Sequence, residues 1–182
     1  MSFNIAIDGP AGAGKSTIAK KIAKELGFVY VDTGAMYRAM ALYFLRSNIS
    51  NEDEQAISRA SENVEITIQY ENGEQQVFLN GENVSGEIRK EEVGNMASKT
   101  SGYGQVRKKL VELQQQLAKK ADVVMDGRDI GTVVLPDAQV KVYLTASVAT
   151  RAKRRYDELS EKGQECNLEK IEADIEQRDY QD

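Results

Sequence analysis

Histidine is absent from this 182-residue chain and cysteine occurs once, at Cys166. Without imidazole there is no Ser-His-Asp hydrolase, no Cys-His protease and no His-bearing zinc or haem site. A single thiol cannot form an internal disulfide. Long apolar runs are missing too, and the N-terminal MSFNIAIDG lacks a basic region followed by an apolar stretch, so neither a membrane span nor a signal peptide is visible. These absences imply a soluble, cytoplasmic protein of a reducing compartment with no membrane partner. A chain of this length buries about 70% of its unfolded surface and needs no covalent staple. Its chemistry must run on carboxylates, Lys, Arg, hydroxyls or the backbone.

The net charge is −5, but it is unevenly spread. Residues 1–50 carry six bases against three acids, residues 51–92 three against eleven, and residues 93–182 fifteen of each. The acidic middle segment reads as a separate substructure or as a solvated face.

FNIAID reads as a strand ending at Asp8, followed by a glycine-rich turn and the amphipathic KSTIAKKIAKELG, which Gly27 terminates. The short apolar FVYV (28–31) completes a strand–helix–strand unit. A helix follows through MYRAMALYFL, and Ser50-Asn51-Glu52 marks the expected start of another. The period then shortens to two: VEITIQY and QQVFLN flank Asn72-Gly73, a hairpin signal, and Asn80-Gly81 marks a further turn. From Glu87 to about Lys120 the pattern is helical, broken at Gly102 and Gly104. ADVVMD and QVKVYLTA read as apolar strands, and stretches 147–161 and 168–181 as closing helices. The expected fold is α/β: a three-layer sandwich around a central parallel sheet, helices on both faces, with a small antiparallel insert. The expected organisation is a core of 1–32 and 94–182, with a lid at about 147–163, and a region 33–93 that carries the β insert at about 63–86.

Gly9-Pro10-Ala11-Gly12-Ala13-Gly14-Lys15-Ser16 fits G-x4-G-K-[ST] between a strand and a helix. Such a loop turns backbone N–H groups around an anionic phosphate, and the helix N-terminus adds partial positive charge. Lys15 then addresses the β- and γ-phosphates and Ser16 offers a hydroxyl to Mg²⁺, so the loop specifies a nucleoside triphosphate with magnesium. Asp126, at the end of VVMD, stands where a magnesium-directing carboxylate acts through water, although a turn or cap role fits the same position. Arginines recur at Arg38, Arg107, Arg128, Arg151, Arg154, Arg155 and Arg178. Guanidinium forks suit phosphate oxygens and point to a second, phosphate-bearing substrate. Arg151, Arg154 and Arg155 share a helical face and could close over the transferring group, but Asp157 and Glu158 at helical spacing allow a solvated ion-pair face instead.

GPAGAGKST, VDTGAMYR (31–38), VSGEIR (84–89), NMAS with Val106-Arg107, DGRDIGTVV (126–134) and the terminal QRDYQD together resemble the bacterial type of cytidylate kinase, a nucleoside monophosphate kinase family. In that family ATP phosphorylates CMP or dCMP. The resemblance implies that Gly9, Pro10, Ala11, Gly12, Ala13, Gly14, Lys15, Ser16 and Thr17 bind ATP phosphates. It implies that Arg38 and Arg128 hold the CMP phosphate, that Ser98, Arg107 and Asp129 read the cytosine edge, and that Arg178 and Asp182 meet the ribose or nearby phosphates. Thr33 takes an acceptor-loop position that is often Ser in relatives. The resemblance also implies a longer chain, continuing past Asp182 with an arginine-bearing segment, a strand and a helix. Cytosine presents an amino donor beside an unprotonated ring nitrogen, and Asp129 next to an arginine supplies the complementary pair; a structural ion pair is the alternative. The expected partners are ATP and CMP or dCMP, with Mg²⁺, no nucleic acid polymer and a monomeric state. The other readings are a different P-loop small-molecule kinase and a nucleotide switch with little turnover.

Overall fold

The structure is a computed structural model and describes residues 2–182. Four parallel strands, β1 (Asn4–Asp8), β2 (Val29–Asp32), β6 (Val123–Gly127) and β7 (Val140–Tyr143), form one sheet in the order β2-β6-β1-β7. Between them run α1 (Lys15–Leu26), α2 (Thr33–Arg46), α3 (Glu54–Asn63), α4 (Glu91–Thr100) and α5 (Gly104–Lys120). Residues β3 (Ile66–Glu71), β4 (Glu74–Leu79) and β5 (Glu82–Asn83) make a separate antiparallel sheet. The helices α6 (Val148–Glu161) and α7 (Leu168–Gln181) close the chain.

Strand alternation divides the sheet's side chains between two faces. Ile5, Ile7, Tyr30 and Val124 pack with Ala19 and Ala23 of α1. Ala6, Val31, Val123 and Met125 face the other way, into a larger core with Met36, Met40 and Phe44 of α2 and Leu110 of α5. Helices therefore cover both faces, as the strand–helix alternation predicts. Val64, Ile66, Val77, Leu79 and Val84 of the acidic middle segment belong to this same core, so the small sheet is joined to the main one through α2.

Asn72 (φ 52°) and Gly73 (φ 80°) both lie in the left-handed region, as a two-residue hairpin between antiparallel strands requires. The helix expected to start at Ser50 begins instead at Glu54, because the Asp53 carboxylate accepts from Ala56 N (3.0 Å) and caps it. QVKVYLTA forms a strand only over β7, which pairs on one side with β1 and leaves Tyr143 71% exposed. At the opposite border, the outer rim of β2 is covered by side chains. Tyr70 Oη donates to Tyr30 O (2.8 Å), and the Gln75 amide pairs with Asp32 through both its oxygen (2.9 Å, from Asp32 N) and its nitrogen (3.2 Å, to Asp32 O). An exposed row of strand amides is thereby satisfied without a further strand.

Candidate active site

The glycine-rich loop leaves β1 at Asp8 and enters α1. Gly9 (φ 149°) passes so close to Leu144 that a Cβ would lie 1.9 Å from its carbonyl oxygen. Gly14 is left-handed (φ 93°) and heads α1 without a side-chain cap, whereas α2, α3, α6 and α7 are capped by Asp32, Asp53, Ser147 and Asn167. The first N–H groups of α1 thus have no intrahelical or side-chain acceptor, the arrangement an anion completes. Lys15 Nζ folds back onto Pro10 O (2.8 Å). Burial, followed by repulsion from Arg128, lowers the Lys15 ammonium from 10.5 to about 8.

Strand register brings Asp32 beside Asp126, and Asp8 beside Gly127, at the C-terminal ends of three neighbouring strands. Asp126 is buried and accepts from Ser16 Oγ on Oδ2 (2.8 Å) and from Tyr30 Oη on Oδ1 (3.1 Å). Burial and then the Asp32 charge push its carboxyl from 3.8 up to about 6, against the opposing pull of those two donors and of Lys15. Thr33, expected at the acceptor phosphate, is buried and donates its hydroxyl to Asp126 O (2.7 Å). It braces the start of α2 against the end of β6.

After β6 the chain makes one turn of π-helix, Ile130–Val134, which sequence periodicity did not anticipate. Asp8 holds its start: Oδ1 accepts from Ile130 N (2.7 Å) and Oδ2 from Gly131 N (2.8 Å), both buried. A Cβ at Gly127 would meet Thr33 Oγ1 and Ile130 Cδ1 at 2.7 Å, so the DGRD turn closes only around glycine. This turn presents Asp129 to Arg107 of α5 and Arg128 to Asp182, both as ion pairs. The pairing of Asp129 with an arginine is thus present, with Arg107 as the partner.

Arg38 of α2 is half-buried and donates to Ile88 O (3.0 Å); no ion pair is formed by it among the described residues. A Cβ on Gly94 would lie 3.0 Å from its guanidinium nitrogens, so Gly94 makes room for it. Burial and then Arg89 lower the Arg38 guanidinium, with Arg178 and Arg155 adding to the repulsion. Arg128 is likewise lowered, by burial first and also by Arg178 and Arg151. Several like charges therefore surround one region beyond the strand ends. Ser98 sits half-buried on α4, one turn past Asn95, whose Oδ1 accepts from Arg178 Nη2 (3.3 Å).

The three arginines of α6 take three different roles. Arg151, expected over the transferring group, is 3% exposed and fully committed: Nε donates to Ala146 O (2.9 Å), Nη1 to Ala11 O (3.2 Å), and the fork grips Asp179 of α7. It faces inward from the first turn of α6 and braces the glycine loop at Ala11. Arg154 Nη1 donates to Gly12 O (3.3 Å). Arg155 pairs with Glu158 (3.0 Å) on the exposed face, and Lys153 with Asp157, which is the solvated ion-pair pattern for that side of the helix.

The sequence model of the family described as Cytidylate kinase matches residues 5–182. The chain belongs to the cytidylate kinase family. It is 54% identical to a cytidylate kinase of Caldanaerobacter subterraneus subsp. tengcongensis over 182 residues, covering 100% of this chain and 80% of that one. It is 53% identical to a cytidylate kinase of Lactobacillus johnsonii over 180 residues, covering 99% of this chain and 78% of that one. A solved shikimate kinase from Bacteroides thetaiotaomicron, 13% identical, aligns over 97% of this chain and 77% of that one with a TM-score of 0.49. Family membership makes the chain an ATP-dependent nucleoside monophosphate kinase acting on CMP or dCMP.

A cytidylate kinase site needs a place for a hard divalent cation beside the ATP phosphates. The donor set fits Mg²⁺: one hydroxyl, Ser16, touches one buried carboxylate, Asp126, next to Lys15. No group of three or more metal-ligating side chains occurs among the described residues, consistent with an ion that takes one or two carboxylates and otherwise phosphates and water. No helix among them is long and apolar enough to cross a membrane. Four further residues shape the site: Asp8 clamps the DGRD turn, Tyr30 holds Asp126, Asp179 locks Arg151, and Asn95 meets Arg178. Asp8 carried a sequence signal, as the strand-ending acid immediately before the glycine loop, and Asn95 and Asp179 lie within the NMAS and QRDYQD motifs without having been singled out.

Proposed function

We propose that the cation cluster beyond the strand ends is the acceptor site, and that CMP binds with its phosphate between Arg38 and Arg128 and its base edge against Arg107 and Asp129. The observation that carries this reading is Arg38: a half-buried guanidinium without a carboxylate, repelled by neighbouring arginines, is stabilised by a phosphate dianion at that place. Arg178 and Asp182, at the end of α7, border the same site, and Ser98 borders it from α4.

The triphosphate occupies Gly9–Thr17. There the free N–H groups of α1 and the Lys15 ammonium take the β- and γ-oxygens, and Ser16 and Asp126 would hold Mg²⁺, Asp126 through water. The bound ion offsets negative charge on the phosphates. An oxygen of the CMP phosphate attacks the γ-phosphorus in line as the bond to the β-bridging oxygen breaks, giving CDP and ADP. This transfer needs alignment and charge compensation more than a strong base, which a chain without histidine can provide. Lys15, Arg128 and Arg154 supply that compensation. The α6 helix acts as the lid through Arg154 and, with the middle segment, excludes water from the reacting phosphates. The soluble, cytoplasmic and monomeric reading fits such small, freely diffusing substrates.

The Asp129→Asn variant tests the acceptor assignment. Asp129 as acceptor for the cytosine amino group requires that kcat/KM for CMP fall by about 100-fold while UMP changes little and ATP binding is retained. Equal losses for CMP and UMP refute it.

A further inference from the structure

Tyr30 lies in the middle of β2, on the sheet face covered by α1, and is nearly buried among Ile5, Ile7, Ala19, Ala23 and Val124. Packing alone in such a setting is served by phenylalanine. The hydroxyl donates to Asp126 Oδ1 at 3.1 Å, on the carboxylate oxygen that does not accept from Ser16. Each oxygen of Asp126 thus has one donor, from two different elements: Ser16 from the first turn of α1, and Tyr30 from the neighbouring strand.

These two donors are not equivalent. Ser16 is exposed and is the hydroxyl that must also serve the cation, whereas Tyr30 has no second duty. The ring is also fixed in place. Lys20 Nζ stands 5.6 Å from its centroid, and Tyr70 Oη donates to the Tyr30 main-chain carbonyl (2.8 Å). The buried Asp126 carboxylate is thus held on Oδ1 from β2 as well as on Oδ2 from α1.

We propose that Tyr30 is a positioning residue for the metal–nucleotide complex, which holds the Asp126 carboxylate in the orientation that receives Mg²⁺ with ATP. The inference rests on the reading of Ser16 and Asp126 as the metal-directing pair. Hydrogen bonds to a metal-directing group, made by residues that do not touch the ion, act on affinity for the ion far more than on the fold.

The test uses Tyr30→Phe, which keeps the ring, and Tyr30→Met, which replaces it, with the intact chain in each case. ATP binding is measured by calorimetry with Mg²⁺ and again with EDTA, and unfolding without nucleotide is followed alongside. Both variants are expected to bind ATP in EDTA within about twofold of wild type and to lose about 3- to 10-fold of the affinity that Mg²⁺ adds. The half-saturating Mg²⁺ concentration for turnover rises by the same factor, with KM for CMP unchanged at saturating metal. Unchanged metal dependence in Tyr30→Phe overturns the proposal. Equal losses with and without Mg²⁺ overturn it too, as does a loss seen only in Tyr30→Met, since both mark a packing role. Failure of Asp126→Asn to alter metal dependence removes the underlying assignment instead. Failure of wild type to phosphorylate CMP removes the acceptor reading while leaving the calorimetric comparison intact.

Discussion

Replacing Asp126 by Asn is expected to destroy activity and stabilise the free chain. The carboxyl is pushed from 3.8 to about 6 by burial and by Asp32. Between those values the folded chain retains a proton that the unfolded chain has released, so stability falls as pH rises through the interval and the penalty is complete above it. At 1.36 kcal/mol per pH unit the cost at pH 8 is about 3 kcal/mol. Asn keeps one acceptor oxygen, so one of the two donors, Ser16 or Tyr30, loses its partner, at about 1 kcal/mol. The net gain is about 2 kcal/mol at pH 8, or about 4–8 °C in Tm for a chain of this size, and close to nothing at pH 4.5. Urea unfolding in EDTA without nucleotide, at both pH values, measures it. A variant no more stable than wild type at pH 8, or equally stabilised at both, refutes the electrostatic reasoning.

The other two perturbations concern the cations. Lys15 sits at about 8 in the free chain, and phosphate oxygens restore its proton. ATP binding at pH 8.5 is therefore expected to take up a fraction of a proton that vanishes at pH 6.5, read by calorimetry in buffers of different ionisation enthalpy; no buffer dependence at pH 8.5 counts against it. Arg151→Met leaves Asp179 and the Ala11 and Ala146 carbonyls without their donor and is expected to cost about 3 kcal/mol, seen as a Tm lower by about 6–12 °C. A loss below about 1 kcal/mol would show that Arg151 is not the brace the structure describes.

The parts of this fold written locally were legible in advance. The glycine loop lies where G-x4-G-K-S follows a β-rich run, and Asn72-Gly73 and Asn80-Gly81 turn where their left-handed residues permit. What escaped depends on contacts between distant segments. Asp8 meets Ile130 and Gly131, and Gln75 meets Asp32, only after the sheet is assembled. The spacing of Arg151, Arg154 and Arg155 identified a shared face, but not that the first of them points into the protein, which depends on how α6 approaches the loop. The bond from the Thr33 hydroxyl to the Asp126 carbonyl has no local sequence signal, since it joins residues brought together only by the pairing of β2 with β6. The exposure of β7 was hidden for a similar reason: an apolar run shows that a strand can be buried, not that the described elements cover it.

The Asp8 clamp also sets a length scale for the reaction. One step further along the chain begins the glycine loop, while the two oxygens of Asp8 fix the backbone immediately after Asp129, in the turn that carries Arg128. On the roles proposed for these two segments, donor and acceptor cradles are tied to one buried carboxylate, at the ends of paired strands. On that reading, the gap a phosphoryl group must cross is built into the sheet like the fixed jaw of a gauge.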